Sequence, residues 1–545
     1  MTQASQDIAK QLDTLFAEFN KGDQPGLVVA VAQKGEILYR RGFGLASLEH
    51  GVANTPATRL RIGSTSKHFA CLAALLLAEE GKLNIDAGVR SYMPELPILA
   101  GDPTLRQLMQ HTSGYRCYLD LTLLSQGVAI MPRGGALAAE LRQSDTNFPP
   151  GERMIYCNGG YHLLSLVIER VSGIPFETFL KERIFRVMGM VDTESVGDDM
   201  RIRPRMATQH VPDGNGGFIR GIFPAWEVLG EGGIVSTVDD MLLWIAHLRA
   251  PNKRLGSLDT WQQMLTKPHY SSGAEGIYAL GLMLTPHRDV ELLHHAGGVF
   301  GGACQMLTVV GHELDVIILT NGAPADPSAL ATQVVDIVLG DATLGAKPPA
   351  PLETAGRTAL LGKYYAHKSH AYCEIGDHDG KLGVIFHNFK SMPYFLIETA
   401  SGLRIDDGAG GSLMLKPSAS LANGHTTAIE LFDCGHAETL ARLPDGVPPL
   451  SDATIGLAGR YHSGDAAAYA TIAVAGEALT MTMEGTAGNA AYRLEPVGND
   501  IFSFEPNDPL SVISGILTVE RSAGQVTRFW IETNRTRHLS FVRKS

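Results

Sequence analysis

Six cysteines are few for 545 residues, and Cys71, Cys117, Cys157, Cys304, Cys373 and Cys434 stand singly, with no Cys-x-x-Cys pair. That scatter predicts no disulfide framework and no thiolate zinc site, and reads as reduced, packed thiols in a cytoplasmic protein. Long apolar runs are also missing. The longest, Phe69 to Ala78, is too short to span a bilayer. The segment from Met1 to Phe19 has helical periodicity at Ile8, Leu12, Leu15 and Phe16, but not the basic start and apolar centre of a signal peptide. Basic charge is in deficit as well. With 45 Lys and Arg against 57 Asp and Glu, the net charge of -12 argues against nucleic acid or an anionic membrane as partner.

Several catalytic signatures are absent. No Gly-x-Ser-x-Gly elbow and no His-Glu-x-x-His occur, which removes the motifs of α/β-hydrolases and zincins. Gly340 to Lys347 fails the phosphate-loop pattern, because its lysine does not directly follow the second glycine. The pair Gly42-Phe43-Gly44 is too short for a dinucleotide fingerprint.

What is present begins with Arg61-Ile62-Gly63-Ser64-Thr65-Ser66-Lys67-His68-Phe69, leading into the apolar run Ala70 to Leu77. Positions i and i+3 share a helix face, so the Ser64 hydroxyl and the Lys67 amine can meet. A lysine on an apolar wall is desolvated, and its pKa falls. A neutral amine beside a hydroxyl is a base beside a nucleophile. A bare helix start, with Ser64 as N-cap and Lys67 solvated, is the competing reading.

The chain is too long for one ordinary core, so two or three domains are expected. Strand-like runs at 27–32 and 36–39 flank the hairpin signal Gln33-Lys34-Gly35. Helical patterns follow at 68–80, 104–111, 160–172 and 237–249, strands return at 290–294, 304–310 and 314–320, and a helix is expected at 325–339. Strands at both ends with helices between predict an α+β domain whose antiparallel sheet uses both termini, over residues 1–340. The Pro-rich stretch 341–352 reads as a linker. Beyond it, short alternating runs dominate. Gly362, Tyr364, Ala371, Tyr372, Ile375 and Leu382 recur 97 residues later as Gly459, Tyr461, Ala468, Tyr469, Ile472 and Leu479. Two related β-domains, 353–450 and 451–545, are expected, as small antiparallel barrels or sandwiches.

Two further motifs bear on Ser64. Tyr156-Cys157-Asn158 follows a Pro-Pro-Gly turn: a tyrosine oxygen can relay a proton, and an asparagine amide can orient Lys67 and a substrate amide. In His294-His295-Ala296-Gly297-Gly298, small residues let a substrate backbone approach an edge strand closely. The Gly298 N–H with that of Ser64 would complete an oxyanion hole.

In this order the three motifs resemble those of the serine β-lactamase and penicillin-binding-protein superfamily, in its class C-like branch. Phe43-Gly44-Leu45-Ala46, Gly81 to Asp86, Leu105 to Gly114, Gly232 to Thr237 and Tyr278 to Gly281 look like its recurrent blocks. The resemblance implies Ser64 as the acylated nucleophile, Lys67 as its base and Tyr156 as proton carrier to the leaving group. It also implies a β-lactamase-like catalytic domain. One departure stands out: His295-Ala296-Gly297 occupies the place of the usual Lys-Thr-Gly. A lysine there offers a permanent charge to a substrate carboxylate, whereas a histidine is mostly neutral at pH 7.

A His-x-Gly third motif with two C-terminal β-barrel domains resembles the bacterial D-aminopeptidases. That resemblance implies release of small N-terminal D-residues from peptides, amides or esters, with no metal or other cofactor, and a loop from the last domain reaching the site. Glu505 to Leu510 is the best candidate for that loop, with Asp508 offering a carboxylate to the substrate ammonium; because acidic turns are common, an ordinary surface turn is the reading favoured over it. The expected partner is a small peptide or amino-acid amide, with a homodimer left open. Competing functions are a class C-like esterase, a D-Ala-D-Ala carboxypeptidase or β-lactamase, and a non-catalytic penicillin-binding-like protein.

Overall fold

The hairpin signal at Lys34-Gly35 forms as expected, with both residues at positive φ, and joins the strands Leu27–Gln33 and Glu36–Phe43. These two complete a six-stranded antiparallel sheet whose other strands come from the far end of the domain. The order is Met283–His287, Val290–Val299, Gly302–Val309, Leu314–Thr320, Leu27–Gln33, Glu36–Phe43. The junction runs from Leu27 opposite Thr320 to Gln33 opposite Leu314. The computed structural model describes residues 3–322, 324–386, 392–406, 413–418, 421–433, 435–476 and 478–544.

Helices cover both faces of this sheet. On one side pack the first helix, Gln3–Phe16, and the helix Pro327–Leu339, with Leu12, Phe16, Val334 and Val335 buried against Val29 and Ile318. Asp326 caps the latter helix and Pro327 starts it, so its N-terminus is fixed by sequence. On the other side, Lys67–Glu79 is buried from Lys67 to Leu77 and crosses Asn158–Ser172, with Trp244 of Val238–Arg249 packed on Phe69. A helix apolar all round is the centre of a core, not its surface.

The tail forms two closed antiparallel barrels, each of eight strands among the described residues. Gly362–Tyr365 closes on His436–Arg442 in the first, and Gly459–Ser463 on Leu539–Arg543 in the second. The 97-residue repeat is structural. Gly362 pairs with Ile375 as Gly459 pairs with Ile472. Tyr364 donates to the Leu360 carbonyl at 2.8 Å, and Tyr461 to that of Leu457 at 2.6 Å. Cys71, Cys117, Cys157, Cys304 and Cys373 are free and buried; Cys434 lies outside the described residues. No described helix is long and apolar enough to cross a membrane.

Candidate active site

Ser64 lies in a 3-10 turn, Gly63–Ser66, that feeds directly into the buried helix. It does not act as an N-cap. Instead Lys67, one turn on, donates to Ser64 Oγ at 3.1 Å, to Asn158 Oδ1 at 2.9 Å and to the Glu231 carbonyl at 2.6 Å. Ser64 is partly exposed, while Lys67 is fully buried. Burial lowers the Lys67 pKa to about 7; Glu231 opposes the fall and Arg535 adds to it. At neutral pH a large fraction of the amine is therefore unprotonated and able to accept the Ser64 proton.

Tyr156 comes from the irregular segment before the helix Asn158–Ser172. Its hydroxyl is buried beside Ser64 and Tyr278, without a well-formed hydrogen bond, and burial pushes its pKa up. Lys67 Nζ stands 4.8 Å from the Tyr156 ring centroid. The His111 ring also lies against Tyr156, with centroids 4.0 Å apart. His111 accepts from the Cys157 N–H at 3.0 Å, which fixes the backbone between Tyr156 and Asn158.

The Gly-rich motif is not a loop: the strand continues to Val299. Its outer neighbour, Met283–His287, pairs only as far as His294, so among the described residues no strand pairs with the outer edge of His295 to Val299. That edge lies against the Ser64 turn. A Cβ on Gly297 would stand 1.9 Å from the Ile62 carbonyl oxygen, and one on Gly63 2.8 Å from Gly298 N. Gly63, at φ +52, tolerates both the close approach and the left-handed backbone.

His295 is buried, and burial, with the Lys67 charge adding to it, drops its pKa to about 3. Both ring nitrogens are engaged. Nδ1 donates to the Ala296 carbonyl, so Nε2 accepts from the Tyr278 hydroxyl at 2.8 Å. The ring is a neutral prop for Tyr278, which itself stands beside Tyr156.

Asp508 is exposed and accepts from the Leu510 N–H in its own turn; among the described residues no hydrogen bond or ion pair joins it to Ser64, Lys67, Tyr156 or His295. The loop that reaches the site is 533–538, between the last two strands of the second barrel. Arg535 lies over the Tyr156 ring at 4.9 Å, and its Nε is buried without a hydrogen-bond partner. The catalytic domain holds this loop from beneath. Asp120 accepts from Thr533 and Thr536 at 2.5 and 2.6 Å, and Arg116 donates to the Arg537 and His538 carbonyls at 2.9 Å each. Asn147 adds to this hold, accepting the Arg537 N–H at 2.7 Å. A cavity of about 300 Å³ opens beside Tyr156, with Tyr372 and Asp433 of the first barrel and Glu532 and Arg535 of the second in its walls.

Sequence reasoning gave no role to Glu231, Tyr278, His111 or Arg535. Glu231 is buried; its side chain pairs with His162 at 3.0 Å and accepts from Tyr118 at 2.9 Å, while its carbonyl holds Lys67. The first three stand in or beside blocks singled out by resemblance. Arg535 sits in a hairpin tip with no pattern around it.

A helix-flanked antiparallel sheet with a serine, a lysine and a tyrosine converging beside the strand Val290–Val299 defines the β-lactamase-like class of serine acyl-transfer proteins. The chain belongs to the Beta-lactamase family, whose model matches residues 12–339. Over 534 residues it is 27% identical to a D-aminopeptidase of Cereibacter sphaeroides (strain ATCC 17023), covering 95% of this chain and 96% of that protein. The octameric penicillin-binding protein homologue from Pyrococcus abyssi shares the fold, with a TM-score of 0.54 at 19% identity, over 89% of this chain and 99% of that one. So does the D-amino acid amidase from Ochrobactrum anthropi SV3, with a TM-score of 0.50 at 23% identity, over 62% of this chain and 98% of that one.

Proposed function

We propose that this protein is a serine hydrolase that releases small, D-alanine-like N-terminal D-amino acids from peptides, amides or esters through an acyl-enzyme on Ser64. The observation that carries the reading is the buried Lys67 amine, with a pKa of about 7, at 3.1 Å from Ser64 Oγ. The neutral amine accepts the Ser64 proton as Oγ attacks the substrate carbonyl. The N–H groups of Ser64 and Gly298 face the oxygen on which charge develops. Tyr156 passes a proton to the departing amine or alkoxide, and water then repeats the sequence on the acyl-enzyme. Asn158 orients both Lys67 and the substrate amide.

Selection for a D-residue with a free amine rests on kinship to the D-aminopeptidases. The Asp433 carboxylate in the cavity wall suits an ammonium, and the loop 533–538 limits the length of acyl group admitted. One observation favours a second reading. Arg535 brings a permanent cation, unpaired with any carboxylate among the described residues, to the side of Tyr156. That suits a substrate carboxylate, as in a carboxypeptidase or β-lactamase.

Release of p-nitroaniline from D-alanine, L-alanine and N-acetyl-D-alanine p-nitroanilides, by wild type and Ser64→Ala, separates the two. Ser64-dependent hydrolysis of the free-amine D substrate alone is expected. Inactivity on all three, with turnover of D-Ala-D-Ala peptides or nitrocefin, would replace the first reading by the second.

A further inference from the structure

The two barrels bring three metal-ligating side chains together at the outer wall of the cleft. His370 belongs to the first barrel; Glu532 and His538 bracket the loop that carries Arg535. We propose that His370, Glu532 and His538 bind one divalent transition-metal ion of the zinc class, and that this ion fixes the ends of the loop 533–538 against the first barrel.

The geometry is that of ligands around a shared point. Nδ1 of His370 lies 3.6 Å from Glu532 Oε1, and Nδ1 of His538 lies 3.5 Å from the same oxygen. One donor atom from each residue falls within 4.8 Å of the others. These separations are too long for hydrogen bonds. The two nitrogen–oxygen distances, 3.6 and 3.5 Å, come close to the roughly 3.3 Å between ligand atoms that bonds of about 2.0–2.1 Å produce around a tetrahedral ion.

The polar accounting agrees. His370 Nδ1 and Glu532 Oε2 are both buried without a hydrogen-bond partner, and Glu532 is only 3% exposed. A buried imidazole nitrogen left without a partner is costly, and an ion beside Glu532 Oε1 supplies one to His370 Nδ1. The nearest alternative, Arg537 Nε, stands 4.0 Å from Oε2. Two imidazoles and one carboxylate suit zinc, cobalt or nickel better than magnesium or calcium, which prefer oxygen alone, and leave a fourth position open.

The consequence for the loop follows from chain order. The Glu532 carboxylate already accepts the His538 N–H at 2.8 Å, so the loop is pinched at its base. An ion adds His370 to that pinch and ties the two barrels together beside Tyr156. This departs from the metal-free protein expected from sequence, where no spacing links residue 370 to 532 and 538.

Full-length protein stripped with a chelator and titrated with Co2+, followed by visible absorption, tests the site. His370→Asn and His538→Asn run beside it, since both positions have positive φ, which asparagine accepts. Wild type should take up about one Co2+ per chain with the absorption of a four-coordinate ion, and each variant should bind on the order of 100-fold more weakly. Tryptic cleavage after Arg535 and Arg537 should slow on adding Co2+ to wild type only. Failure of wild type to bind stoichiometrically, or equal binding in folded variants, would overturn the site. Binding without protection of the loop would overturn its clamping role. Should either variant not fold, the wild-type stoichiometry decides. None of these readouts depends on turnover, so they stand or fall apart from the proposed hydrolase.

Discussion

Arg535 of the second barrel stands over the ring of Tyr156, its guanidinium carbon 4.9 Å from the ring centroid. The cleft beside Ser64 is thus completed by the most distant domain in sequence, and its electrostatics are shared between domains. Arg535 is also among the groups that depress the Lys67 pKa.

That depression sets a pH profile. Below a pH of about 7 Lys67 is protonated and cannot accept the Ser64 proton. On the acid side kcat/KM should fall about tenfold per pH unit and should level off above neutrality. Initial rates on D-alanine p-nitroanilide between about pH 5 and 9 check this. A rate independent of pH across that range would remove Lys67 as the base.

Arg535→Gln removes a positive charge that disfavours protonated Lys67. The Lys67 pKa then rises, and the acid limb of the kcat/KM profile should move to higher pH. The same variant weighs the two substrate classes. Activity on free-amine substrates should persist, whereas a carboxylate-dependent enzyme would lose about 1.5–3 kcal/mol of binding with its charged partner.

Gly297→Ala tests the close approach of strand and nucleophile turn. Its Cβ would stand 1.9 Å from the Ile62 carbonyl oxygen, so the backbone must separate. A loss of about 1–3 kcal/mol in stability is expected, with activity falling far more than thermal midpoint. Wild-type kcat/KM would show that the strand edge takes no part.

Asp120→Ala removes the acceptor shared by the Thr533 and Thr536 hydroxyls. Leaving both buried and unpaired costs about 1–3 kcal/mol each. Amide exchange should accelerate in residues 533–538 while the central sheet stays protected, and KM for small substrates should rise. Unchanged exchange there would show that the loop is held by other contacts.

How much was legible beforehand depended on the range of the interaction. Ser64 and Lys67 could be paired from their spacing, because one helical turn fixes their geometry. The barrels were readable from Gly362, Tyr364 and their echoes Gly459 and Tyr461, since each tyrosine hydroxyl bonds a carbonyl four residues back. The neutrality of His295 followed from chemistry, but one of its two hydrogen bonds depends on Tyr278, which bridges to Met283 of the neighbouring strand. The docking loop was not legible. Glu505 and Pro506 end a strand and Asn507 to Pro509 form an exposed turn, while loop 533–538 is held by Asp120, Asn147 and Arg116, which precede it by most of the chain.

The most direct test of the account is intact-mass analysis of the protein quenched during turnover of a D-alanine ester, followed by peptide mapping. The account predicts a mass increase of one alanyl group, located on Ser64 and absent from Ser64→Ala. An unmodified Ser64 during undiminished turnover, or an acyl group carried on another residue, would contradict it.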